Sequence, residues 1–450
     1  MTDREFTRAL RRGLGSAVVE LKNAENKAAR RSALLRCCLR DISYDWQSEG
    51  TKGYYLYTAI RALGGEDFFE KPLIGRFLSR CPDRLFLQLA AILSCYAGDG
   101  SEAAKEAFHV KYDCFAGKNG RFIRNSSVDE GFQWDEVVFQ LFAIDGFSAF
   151  KRYAADAGGI LLRNPGEPAI WDDWFTDRAE GVFGKKRVAV FINKASGRSD
   201  AVKALADALK AGADSRARYQ PGRETMTLSG LIQAVREAAT GEYPYYKTVG
   251  FRRSFITNAS DTEISELARA ALREEDETVK ALLLDMFRRR SFPLDITPLL
   301  DCARSDNELL AEAAIDCLKG VKEKRIHDLA IFLLTKPSRA NLSALALLEK
   351  NYKKSDDPLI FAAVKKSGVS HGVQQAIRDI YRRHRSSGAL PALLRVYRDG
   401  ECSYCRRGIV EAMRHCGVLP ADILEECLHD SYDDTRKFAQ RLLARGANRC

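Results

Sequence analysis

The sequence predicts an all-α fold, with an α-solenoid of helical hairpins over about the last 190 residues, and three observations carry that prediction. From about residue 264 onward, apolar residues recur at spacings of three and four, as one face of a helix requires. The periodic segments come in pairs separated by polar turns. The second members of these pairs start at Glu275, Asp306, Ser338, Val369, Cys402 and Tyr432, at intervals of 31, 32, 31, 33 and 30 residues. A period this steady marks helix pairs that cannot bury an apolar face alone and must stack on their neighbours.

Taken in chain order, residues 1–160 form a helical N-terminal region without a clean period. Its segments begin at Arg30, Gly53, Asp83, Asp135 and Phe147 and are parted by turns containing Gly, Asp and Asn. They read as degenerate repeats or as a separate helical cap. Residues 161–260 form an irregular, partly helical connection that includes LLRNPGEPAIWDDWFTD and RVAVFINKASGRSD. There Val188 to Ile192 reads as a short strand or, more economically, as part of a helix. Residues 261–450 form the array of about six helix pairs, whose first members begin at Ile264, Thr297, Arg325, Asp357, Ala389 and Ala421.

The second helices resemble the HEAT family, in its short form named after phycobilisome lyases, where an acidic turn precedes a Val-Arg-like pair and an Ala- and Leu-rich helix. Asp433-Asp434-Thr435-Arg436 and Glu275-Asp276-Glu277-Thr278-Val279-Lys280 stand at those places, whereas SRANLSALALLEKN lacks the acidic and basic pair. Acidic side chains suit such a turn because they accept from the free amides of a helix start and favour its positive end. The resemblance implies a curved scaffold that binds another macromolecule. HEAT-like alkylpurine DNA glycosylases share with Ile170 to Asp177 a composition of aromatic and acidic residues: Trp171, Asp172, Asp173 and Trp174. A packed corner is the simpler reading of that segment.

Composition narrows the function. At 46% hydrophobic and 29% charged, with 12 prolines and 32 glycines in 450 residues, the chain reads as folded and soluble. MTDREFTRALRRG lacks the apolar core of a signal peptide, and Leu85 to Ala97 is too short to cross a bilayer, so the expected place is the cytoplasm, with no membrane span and the 12 cysteines reduced. A net charge of +10 favours acidic partners.

Chemistry is sparse. No catalytic group is expected, because the six histidines show no HExxH or paired spacing, and neither GVFGKK at Gly181 nor GLG at Gly13 has the context of a phosphate loop. The most sulfur-rich stretch, ECSYCRRGIVEAMRHCG, contains Cys402, Cys405 and Cys416, followed by Cys427 and His429. With Ser403 as helix cap, Cys405, Ile409, Ala412 and Cys416 share one face, so core packing is expected ahead of zinc or redox chemistry, and neither a metal nor a cofactor is expected.

Two binding candidates remain. The loop YDWQSEGTKGYYLY gathers Asp45, Trp46, Gln47, Glu49 and Lys52, with anchoring of one helix pair on the next preferred to a functional site. At the ends of second helices, Arg288, Arg289, Arg290, Lys319, Arg382, Arg383, Arg385 and Arg414 follow bulky apolar residues and form a candidate basic binding edge once repeats align. The alternative is that each cation simply stabilises the negative end of its own helix, and Glu349 breaks the series. The expected function is therefore a non-catalytic scaffold with a protein partner. A nucleic-acid-binding or DNA-repair role is second, and an enzyme third.

Overall fold

The computed structural model describes residues 1–23, 27–116, 128–163, 173–218, 227–241, 255–335, 340–366 and 368–447. The described residues are helical, with no strand among them. Val188 to Ile192 lies inside the helix Lys185–Ser196, which settles the strand-or-helix alternative. No described helix is long and apolar enough to cross a membrane. Cα packing divides the chain into two compact units. The first comprises Met1–Pro221 with Glu426–Arg436, and the second Gly222–Glu425 with Lys437–Cys450.

The first unit is organised around the helix Asp83–Gly98, which is apolar on every side and buried from Leu85 to Leu93. It packs against Gly53–Leu63 and Val128–Ile144. The Gln88 side chain inside this apolar run is fully buried, and its amide donates to the carbonyl oxygens of Cys37, Cys38 and Arg40 at 3.1, 3.0 and 2.8 Å. The Cys37 and Cys38 carbonyls end the helix Lys27–Cys38 and that of Arg40 lies just beyond it, where backbone donors run short, so a buried amide here satisfies groups that would otherwise be costly. Aromatic rings fill much of the rest. Phe77 stacks on Phe86 with centroids 4.9 Å apart, and Tyr153 stacks on Phe175 at 3.9 Å. The helices Phe147–Arg163 and Asp200–Arg218 meet at Gly158, where a Cβ would stand 1.7 Å from the carbonyl oxygen of Ala201, so only glycine permits that approach.

Capped helix pairs make up the second unit from Ser260 onward. Ser260 and Glu263 form a reciprocal capping box at the start of Asp261–Arg273. Asp276 accepts from the amides of Thr278 and Val279 at 2.8 and 3.0 Å, and Asn307 performs the same role for Glu308–Leu318. The acidic and polar turn residues therefore act as helix caps. Second members of successive pairs pack on one another: Glu277–Leu284 on Glu308–Leu318, that helix on Ala340–Leu347, then His371–His384, then Ser403–His415. Among the first members, Lys324–Thr335 touches Asp357–Lys366, which touches Leu390–Asp399. Ala340–Leu347 is a 3-10 helix followed by one α-turn, Leu348–Asn351, where the periodicity alone suggests a longer α-helix. The last helix contributes Phe438 to this unit, with the Arg407 guanidinium 3.9 Å above its ring.

Candidate functional site

Lys52 holds the loop at residues 44–57 in place. Its side chain is 2% exposed and its ammonium donates to the carbonyl oxygens of Arg11 and Ile42 at 3.0 and 3.1 Å, with Glu49 at 3.3 Å. Glu49 is fully buried and also accepts from the backbone amides of Tyr44 and Asp45. Asp45 caps the short turn Trp46–Glu49, accepting from Ser48 at 3.4 Å. Gln47 is exposed and Trp46 half-buried. A desolvated ion pair with its remaining donors directed at backbone carbonyls joins helix Asp3–Arg12 to Gly53–Leu63.

The candidate basic edge is laced with carboxylates. Arg288 and Lys319 both reach Asp316 at 2.8 Å, Arg382 reaches Glu411 at 3.9 Å, and Arg383 reaches Glu349 at 3.3 Å. Arg290 turns away toward Asp261 and the carbonyls of Ile256 and Ala259. Arg385 ends its helix in the left-handed region with φ 49°, and Arg414 lies over the Phe438 ring at 5.8 Å. The Arg289 side chain lies outside the described residues. Glu349, which breaks the basic series in the sequence, is thus the acidic partner of Arg383. Ion pairs running from one helix pair to the next occupy the edge.

Beside this edge a groove of about 450 Å³ runs across Glu308–Leu318, Ala340–Leu347 and His371–His384. Its apolar lining includes Ile315, Leu342, Ala346, Val373 and Ala376, and its charged lining Arg288, Glu312, Asp316, Lys319, Glu349 and Asp379. The first unit has a larger concavity, about 980 Å³, lined by Arg40, Arg76, Arg80, Arg84 and Lys111 against Asp41 and Asp83. Lys111 is nearly buried, 5.2 Å from the Phe115 ring centre and 5.5 Å from that of Phe86.

In the sulfur-rich stretch, Cys402 rather than Ser403 caps the helix Ser403–His415, because its sulfur accepts from the Cys405 amide at 3.5 Å. Cys405, Ile409 and Ala412 are buried, and the thiol of Cys416 donates to the Tyr381 carbonyl at 3.4 Å. Cys427 and His429 belong to the first unit, where Nε2 of His429 lies 3.0 Å from Nζ of Lys22. The residue that does join the pair is His371, whose ring nitrogens lie 3.6 Å from Cys405 Sγ. Ligand atoms of His371, Cys402 and Cys405 all lie within 4.8 Å of one another. A hydrogen bond with Cys402, then burial, pushes the Cys405 thiol up, opposed by Arg378 and a hydrogen bond from Gln375. Composition and local spacing did not reveal His371. The repeat period sets Val369, two residues before His371, opposite Cys402, so it points to the right turn without naming the residue.

Trp171 and Asp172 lie outside the described residues. Asp173 and Trp174 begin the helix Asp173–Phe183, and their side chains also lie outside the description. No family model, curated protein or solved structure matches the chain.

Proposed function

We propose that the chain is a non-catalytic scaffold of HEAT-like helical repeats, acting in the cytoplasm, whose second unit docks an amphipathic helix of a protein partner. One observation carries this reading: a groove of about 450 Å³ spans three successive second helices and is lined by apolar and charged side chains together. An amphipathic helix sets its apolar face into such a groove and meets the charged side chains with its flanks. The charges are balanced, since Arg288 and Lys319 share Asp316, and Glu349 and Asp379 pair with Arg383 and Arg378. A phosphate backbone gains its affinity from displaced counterions and needs unmatched cations, which this groove does not supply. The repeat period of the last 190 residues and the packing of each second helix on the next support the α-solenoid reading.

The test uses the full chain as bait before and after Ala346→Trp, which fills the groove at a half-buried position. The expected result is nuclease-resistant capture of a polypeptide, lost with Ala346→Trp while the melting temperature holds. Capture that nuclease abolishes and Ala346→Trp leaves intact would overturn it.

A second reading has its own support in the first unit. Five cations against two carboxylates around a concavity of about 980 Å³ suit an anionic partner, nucleic acid among them. If nucleic acid binds, the cleft is a better place for it than the ion-paired repeat edge.

A further inference from the structure

We propose that Cys402, Cys405 and His371 form a binding site for zinc, two thiolates and an imidazole from the chain leaving the fourth tetrahedral position to water or to a ligand from outside it. The two sulfurs are brought together by helix capping. Cys402 is the cap and Cys405 the third helical residue, and a capping side chain turns back toward the amide of that residue, so a CxxC pair at this register faces inward on one centre. The imidazole comes from the neighbouring repeat. His371 is the first residue of His371–His384, which Ser370 caps and which packs directly against Ser403–His415.

The spacing fits the ion. Zinc–sulfur and zinc–nitrogen bonds of about 2.3 and 2.0–2.1 Å at a tetrahedral angle place sulfur and nitrogen about 3.6 Å apart and two sulfurs about 3.8 Å apart. Cys405 Sγ and the His371 nitrogens stand at 3.6 Å, and the whole set of ligand atoms lies within 4.8 Å. Small side-chain rotations close the remainder. Each thiol gives its proton to solvent on binding and His371 offers a ring lone pair, so two protons leave as one divalent ion enters.

The surroundings suit thiolates bound to a cation. Both helices present their N-terminal ends, which carry partial positive charge, to the sulfurs. Gln374 is 1% exposed, and neither its amide oxygen nor its amide nitrogen has a hydrogen-bond partner. A Cβ on Gly400, two residues before Cys402, would stand 2.5 Å from that oxygen. A buried amide beside the cysteine turn offers a donor and an acceptor to a fourth ligand such as water. Cys402 and Cys405 are almost fully enclosed while His371 is partly exposed, so the approach to the ion lies on the histidine side. Three protein ligands with a fourth position for an outside group are the arrangement of zinc sites that bind or activate a ligand, whereas structural zinc sites close with four. The site adjoins the docking groove, whose lining includes Ser370 and Gly372 beside His371, but the inference does not rest on that docking role.

The experiment measures zinc in the full chain purified under reducing conditions without chelator, followed by cobalt(II) substitution. The expected result is one zinc per chain and an intense sulfur-to-cobalt charge-transfer band with tetrahedral d–d absorption. Cys402→Ser and Cys405→Ser should abolish both signals, and Cys416→Ser should keep them. Should the cysteine variants fail to fold, His371→Ala, at a partly exposed position, provides the same reading through a displaced d–d spectrum. Wild-type protein that takes up neither zinc nor cobalt overturns the site. So does an unchanged spectrum in His371→Ala, or zinc bound equally by a folded Cys402→Ser Cys405→Ser variant.

Discussion

Lys52 shows how much one residue can bear. A lysine ammonium is rarely buried, because its dehydration must be offset by close charge and hydrogen-bond partners. Here Glu49 and two carbonyls from Arg11 and Ile42 provide them, and Glu49 in turn collects two backbone amides. Replacing Lys52 with Met leaves a buried carboxylate without its cation and is expected to cost about 3–5 kcal/mol. Adding Glu49→Gln should recover part of that loss. Urea denaturation of the two variants measures both. If Lys52→Met were as stable as the parent, the pair would contribute nothing to the joint. The loop residues Asp45, Trp46, Gln47, Glu49 and Lys52 are legible in the sequence as a cluster. The direction of Lys52 is not, since Arg11 lies 41 residues away.

At the scale of elements, the segment Glu426–Arg436 belongs to the same unit as the first two helices. The Ser431 amide donates to the Gly13 carbonyl at 2.9 Å, and Gly13 adopts φ +71°, with a Cβ there standing 2.0 Å from Ser431 Oγ. GLG at Gly13 is thus a turn made for close packing. Beside it the Lys22 ammonium donates to Nε2 of His429, so the ring must be neutral to accept. Burial, and then Lys22, lower the His429 pKa below its ordinary 6.5. An unfolded chain therefore binds this proton more readily than the folded one, and stability present above 6.5 is lost as the pH falls from there toward the lowered folded value. Thermal melts below and above pH 6.5 should show this acid sensitivity in the parent and a flatter profile in His429→Gln. Equal slopes would assign the acid response to other groups.

For the molecule as a whole, net charge +10 is a poor guide to where an anion would bind. The conspicuous cations at the helix ends are matched by Asp316, Glu349 and Glu411, and exposed pairs of this kind contribute about 0–1 kcal/mol each. The less conspicuous Arg40, Arg80 and Arg84 share one concavity. If the protein binds nucleic acid, changing these three to Gln should reduce the slope of log affinity against log salt by about three for duplex DNA. Changing Arg288, Lys319, Arg382 and Arg414 to Gln should leave that slope in place and cost a little stability. Filter binding across a salt series separates the two, and a slope lost only in the edge variant would return the interface to the repeats.

The sequence by itself determined that the chain is helical, where most helices begin, and that the last 190 residues repeat with a steady period. These properties belong to neighbours along the chain: apolar spacing partitions one face from water, and Asp276, Asn307 and Ser260 cap the helices that directly follow them. The tertiary structure alone decided that His371 meets Cys405 across 34 residues, that Glu349 answers Arg383, that Lys52 points inward, and that Cys402 takes the cap expected of Ser403. Such meetings depend on the register in which one helix pair seats on the next, and that register is set by side-chain packing between elements, which no local pattern of spacing or charge records.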